Sequence, residues 1–119
     1  MIRNKTGAWG EIYASRYLRD NGYHIMSSNY VCRFGELDLV AEKDGIISII
    51  EVKTRNQSTD ISPMEAVDTN KRQRLEAAAK SYFLRAQMIC SARFDVCEVF
   101  VDDNNGLVRI NYIENAFEE

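Results

Sequence analysis

Apolar and aromatic residues recur every three or four positions between Thr6 and Asn21: Trp9, then Ile12 or Tyr13, then Tyr17. That spacing predicts one face of a helix, and Gly22 stands in position to close it. Tyr23–Cys32 alternates loosely and reads as a strand, with His24 as a packing residue. Two tighter alternations follow, Glu36–Glu42 and Ile46–Thr54, on either side of Asp44-Gly45. Asp-Gly between apolar alternations predicts a hairpin, because a type I′ turn needs φ > 0 at both central residues. After the polar segment "RNQSTDIS", Ser62-Pro63 predicts a cap and first turn. Thr69–Gln87 then predicts a long helix, with Leu75, Ala78 or Ala79, Tyr82, Phe83 and Ala86 on one stripe. Arg93–Val101 and Leu107–Ile113 read as strands around the turn "DDNNG". The predicted order is α-β-β-β-α-β-β, an α/β sandwich with a central mixed β-sheet flanked by helices, in one domain spanning residues 1–119.

The hairpin pattern fixes a register. With a two-residue loop Lys43 pairs with Ile46, and the numbers of every cross-strand pair sum to 89. Leu37, Leu39, Ala41, Ile46, Ile50 and Val52 then share a core face with Ser48 as the odd member. The other face carries Val40, Ile47 and Ile49 near the turn, and Asp38 opposite Glu51 and Glu36 opposite Lys53 at the far end. Like charges directly opposed in a strand pair repel, and burial raises the cost. A divalent hard cation removes the conflict, since Mg²⁺ or Mn²⁺ takes carboxylate oxygens together with water and phosphate. Lys53, two residues from Glu51, shares its face and is placed to orient a water or to stabilise charge on a phosphate. The alternative is a solvated hairpin end with an ordinary Glu36–Lys53 ion pair.

Composition narrows the class. The content, 45% hydrophobic and 28% charged, is that of a globular domain. No apolar run approaches the ~20 residues of a membrane span, and the N-terminal residues carry no secretory h-region. Cys32, Cys90 and Cys97 are odd in number and without C-x-x-C spacing, which fits buried free thiols in a reducing compartment and a cytoplasmic protein. The net charge of −3 is unevenly spread. Five bases against one acid in Asn70–Met88 give +4, whereas seven acids against two bases from Ile89 onward give −5. A basic helix in an acidic chain permits an anionic ligand on one side without requiring one.

D-(x)n-E-x-K spread over a β-hairpin resembles the PD-(D/E)XK nuclease superfamily, which includes restriction endonucleases and archaeal Holliday-junction resolvases. More closely, the chain resembles the YraN-like family of small bacterial proteins (uncharacterised protein family 0102). The resemblance is carried by Gly10-Glu11 with Ala14 and Leu18, "NGY", Asn29, "GELDLVA", "EVKTR", Ala66-Val67, Lys71, "RFDV" and "ENAF", in order along nearly the whole chain. It implies a restriction-endonuclease-like fold, with Asp38 and Glu51 as metal-binding carboxylates and Lys53 as the catalytic lysine. It also implies Glu11 as a further metal ligand, which on its own pattern reads as a surface glutamate at the edge of the apolar stripe. Gly7 and Gly10 let that helix come close to the sheet or to a phosphate backbone.

The expected function is therefore Mg²⁺- or Mn²⁺-dependent hydrolysis of phosphodiester bonds in DNA, branched or single-stranded, or in RNA. Asp38, Glu51 and Lys53 would be catalytic and Glu11, Asp38 and Glu51 would hold the ion. Arg55, Lys71, Arg72 and Arg74 would contact phosphates, which positions a strand without reading its sequence. Since resolvase relatives act as dimers, the resemblance brings a homodimer into view. The competing readings are a nucleic-acid-binding module with the same fold and little chemistry, and a protein-interaction subunit using the acidic C-terminal third.

Overall fold

The computed structural model describes residues 5–58 and 69–117. Its elements are α1 (Lys5–Asp20), β1 (His24–Cys32), β2 (Gly35–Lys43), β3 (Ile46–Asn56), α2 (Thr69–Arg85), β4 (Ala92–Val101) and β5 (Leu107–Ile113). This is the expected α-β-β-β-α-β-β order. The strands form one mixed sheet in sequence order, antiparallel except where β3 runs parallel to β4. The Ser62-Pro63 cap and the Ala66-Val67 pair lie outside the described residues.

Each helix covers one face of the sheet. Ala14 and Leu18 of α1 pack on Leu39, Ala41, Ile50, Cys97, Val99 and Val101. Leu75, Ala78 and Ala79 of α2 pack on Leu37, Val40, Ile47 and Ile49, with Tyr82 and Phe83 completing the expected stripe. Isoleucines on both sides of β3 are therefore buried, which explains a run of apolar residues where a one-sided strand would alternate.

The turn chemistry works as expected. Asp44 and Gly45 both have positive φ (52° and 80°), and the ladder runs from Lys43–Ile46 to Leu39–Ile50 in the register summing to 89. Three assignments change. Leu37 sits on the α2 face, not with Leu39, because strand alternation breaks at Asp38. Ile46, beside the turn, is exposed, and so is His24 at the open end of β1.

Both helices end in the same hydrogen-bonded motif. In α1, Tyr23 N–H donates to Leu18 O and Gly22 N–H to Arg19 O, with Gly22 at φ 87°. In α2, Met88 N–H donates to Phe83 O and Gln87 N–H to Leu84 O, with Gln87 at φ 56°. That left-handed residue ends α2 at Arg85 and leaves Ala86 exposed off the expected stripe. Of the three cysteines only Cys97 is buried, its thiol pushed up to about 12 by burial and then by the neighbouring Glu98 charge. Cys90 is exposed and Cys32 half-buried, so the expectation of buried thiols holds for one of three.

Gly10 is where α1 meets β3. A Cβ there would lie 1.7 Å from Thr54 Oγ1 and 2.9 Å from Thr54 Cβ. Gly10→Ala is expected to push the helix off the strand and cost about 1–3 kcal/mol, the usual range for overpacking. Urea denaturation measures this loss, and adding Thr54→Ala should restore part of it; an unchanged midpoint in Gly10→Ala would show that the close approach is not needed.

Candidate functional site

The β2–β3 ladder stops one residue before the acids. Asp38 Oδ2 accepts a hydrogen bond from the backbone N–H of Val52 at 2.8 Å, so its side chain reaches toward β3 between the strands. Across on β1, between the pairs Ser28–Leu39 and Tyr30–Leu37, Asn29 has φ 56°, and both strands deform at this point. The alternation break at Leu37 follows from the same distortion. The expected face-to-face pairing of Asp38 with Glu51, and of Glu36 with Lys53, is therefore not part of the ladder.

Three carboxylates converge here instead. Glu11 from α1 and Glu36 and Asp38 from β2 are each half-buried, and one oxygen of each lies within 4.8 Å of the others. The close approach of α1 at Gly10 brings Glu11 in, as the family resemblance implies. Glu36 takes the place in this group that the sequence reading gave to Glu51. The signal is present in "GELD", since acids two apart in a strand share a face, but the sequence reading sets Glu36 opposite Lys53 and leaves it out of the metal ligands.

Glu51 lies beside the group and faces two amines. Its Oε1 contacts Lys71 Nζ from α2 and lies 3.4 Å from Lys53 Nζ, while its Oε2 is buried without a hydrogen-bond partner. Glu36, Asp38, Glu51 and Lys71 line one cavity of about 60 Å³, closed behind by Phe94 and Phe117. The two amines differ. Burial and then the adjacent Lys71 hold Lys53 below the usual lysine range. Burial, the largest influence, pulls Lys71 down, but its hydrogen bonds to Glu51 and Lys53 and the charges of Glu51 and Asp38 together outweigh it and leave Lys71 raised. Lys71 thus keeps its proton on Glu51, and Lys53 is the amine more ready to exchange one.

The other basic residues are distributed unevenly. Arg55 is held in a salt bridge to the buried Glu98 at 3.0 Å, which also accepts from Asn111. Arg72 donates to Phe117 O at 2.6 Å and lies over the Phe117 ring. Both are tied into the fold, whereas Arg74 is exposed on α2. Sequence reasoning did not single out Lys71 as the partner of Glu51, because nothing local joins α2 to the hairpin.

The donor set suits a hard divalent cation: oxygen ligands only, from carboxylates on two different elements. Glu11, Glu36 and Asp38 are the residues that would hold such an ion. Among the described residues no helix is long and apolar enough to cross a membrane.

The model of uncharacterised protein family UPF0102 matches residues 10–99, from Gly10 beside Glu11 to within two residues of the end of β4. The family match spans Glu11, Glu36, Asp38, Glu51, Lys53 and Lys71. A UPF0102 protein of Syntrophomonas wolfei is 43% identical over 117 residues, 98% of this chain and 100% of its own length. One of Moorella thermoacetica is 40% identical over 119 residues, covering 98% of each chain. One of Clostridium acetobutylicum is 36% identical over 118 residues, covering 98% of this chain and 97% of its own. With the match running through both helices and four of the five strands, the chain belongs to the UPF0102 family.

Proposed function

We infer that the protein is a metal-dependent nuclease of the PD-(D/E)XK kind, hydrolysing phosphodiester bonds of DNA. The observation that carries this reading is the convergence of Glu11, Glu36 and Asp38 from a helix and a distorted strand, beside a glutamate flanked by two lysines. Three carboxylates within 4.8 Å of one another offer oxygen ligands to a single hard cation. Glu11, Glu36 and Asp38 would hold a Mg²⁺ or Mn²⁺ ion, with Glu51 adjoining. When bound, such an ion supplies Lewis acidity toward a phosphoryl oxygen and acidifies water.

The chain's own groups do the rest. Asp38 is fixed by Val52 N–H, so the carboxylate is positioned before substrate arrives. Lys71 neutralises Glu51 and holds it in place. Lys53, beside Glu51, orients the attacking water and stabilises the negative charge on the phosphate as the water oxygen bonds to phosphorus and the leaving oxygen departs. The phenyl rings of Phe94 and Phe117 shield the inner side of the cavity from bulk water.

Incubation with supercoiled, linear and branched DNA, and with RNA, tests this reading. Cleavage is expected with Mg²⁺ or Mn²⁺ and none with EDTA, and Mn²⁺ calorimetry should show binding that Asp38→Asn weakens. No cleavage of any of these substrates in either ion would overturn it, and tight salt-sensitive binding without turnover would favour a binding module with the same fold.

A further inference from the structure

A second concavity opens directly from the acidic cavity. It is a groove of about 470 Å³, lined by Arg33, Phe34 and Glu36 on one side and Lys71, Arg74 and Leu75 of α2 on the other. Glu36, Lys71 and Leu75 line both spaces, so the groove adjoins the cavity of the carboxylates. Its size falls in the ~300–1,000 Å³ range of small-ligand sites.

The groove's outer wall breaks a local rule. Cys32 pairs with Gly35, leaving Arg33 and Phe34 as the two loop residues of the β1–β2 hairpin. Such loops favour Asn, Asp and Gly, and an aromatic there buries little. Phe34 is 37% exposed, with the Arg33 guanidinium over its ring at 4.7 Å from the centroid. Positions where local choices disagree with folding needs are where functional sites are expected. Arg74 lines the same groove and is exposed, one turn along from Lys71 on the same helix face.

A ring at the rim, a guanidinium stacked on it and cations along the floor are the parts used to hold an unpaired nucleotide. The ring takes the base by stacking, and the cations take the phosphates, in a way that tolerates any sequence. A base inside an intact duplex offers no free face to such a ring. The net charge of −3 also disfavours structure-blind duplex binding.

Resting on the nuclease reading above, we propose that the groove between the β1–β2 turn and α2 binds an unpaired nucleotide adjoining the cleaved phosphate, with Phe34 stacking its base and Arg74 holding its phosphate. The substrate class is thus nucleic acid with a single-stranded segment, such as a flap or an open strand.

Fluorescence anisotropy at low salt tests this directly. The probes are a short oligodeoxythymidylate, a blunt duplex and a duplex with a single-stranded flap, with Ca²⁺ as the hard cation and each probe checked to be intact. The single strand and the flap should bind more tightly than the blunt duplex. Phe34→Ala and Arg74→Ala should each weaken flap binding by about tenfold, with unchanged thermal melting. Phe34→Tyr should retain binding and Phe34→Leu should not, separating stacking from mere apolar contact. Equal affinity for the blunt duplex, or flap binding indifferent to Phe34→Ala, overturns the proposal. The two readings fail separately: Phe34-dependent binding without hydrolysis in Mg²⁺ or Mn²⁺ sinks the nuclease alone, and hydrolysis indifferent to Phe34 sinks the groove alone.

Discussion

Asp38→Asn is expected to lower phosphodiester hydrolysis by about a thousandfold while leaving the protein folded. Charge stabilisation by a bound cation is worth several kcal/mol, and each 1.36 kcal/mol is a factor of ten in rate. Asparagine keeps a carbonyl oxygen where Asp38 Oδ2 now accepts the Val52 N–H, so the bridge between β2 and β3 survives. What it loses is the negative charge. Asp38→Ala removes both, and the Val52 N–H, beyond the end of the ladder, loses its acceptor. That variant should be destabilised by an additional ~1–3 kcal/mol, the cost of an unsatisfied buried donor. Turnover measured alongside urea denaturation for the two variants separates the catalytic role from the structural one. Wild-type turnover in Asp38→Asn would leave Asp38 as a strand fastener only and remove the central ligand from the proposed site.

The two halves of this site were unequally legible in the sequence. The Asp44-Gly45 turn is local chemistry: two residues needing positive φ, flanked by alternating strands, set the ladder register in advance. The same logic failed beyond Leu39, because it assumes that a strand alternates to its end. The distortion at Asp38 depends on Asn29 of a neighbouring strand and on a side chain replacing a ladder hydrogen bond, neither of which has a period. Glu51 is therefore expected as the fellow ligand of Asp38, whereas Glu36 joins Asp38 and Glu11 in the structure, and Glu51, next to Lys53 as its strand position implies, pairs with Lys53 and Lys71. Glu11 was visible through family resemblance and not through pattern, since its proximity rests on the fit of Gly10 against Thr54. The charge count marked α2 as basic, but only packing decides that Arg72 turns to Phe117 and Arg74 to the groove.

The largest effect on stability should come from a residue the pattern gave no reason to notice. Asp95 reads as one polar position in an alternating strand, yet it is 1% exposed. Its carboxylate accepts from Arg93 Nε at 2.9 Å, from Tyr112 Oη at 2.6 Å and from the Asn115 backbone at 3.1 Å. Arg93 also donates to Tyr23 Oη at 2.9 Å, so the network joins β4 to β5, to the end of β1 and to the closing turn. Asp95→Ala leaves a largely buried guanidinium with only the exposed Glu114 carboxylate, at 3.6 Å, and Tyr112 without its carboxylate acceptor. Breaking one side of such a pair costs about 3–5 kcal/mol, read as a lower urea midpoint at unchanged m-value.

The pH dependence gives a second readout of the same network. Burial first, then the hydrogen bond and charge of Asp95, raises the Tyr112 hydroxyl well above its ordinary 10.0. The unfolded chain therefore loses this proton before the folded one. The stabilisation is complete below about pH 10 and is lost as pH rises beyond it, while the folded state still holds its proton. In Asp95→Ala two of the raising influences are gone, so the alkaline decline in stability attributable to Tyr112 should be shallower than in the wild type. A loss below 1 kcal/mol at neutral pH, with an alkaline limb identical to wild type, would show that water replaces the carboxylate at no cost and that the network does not hold β4 and β5 together.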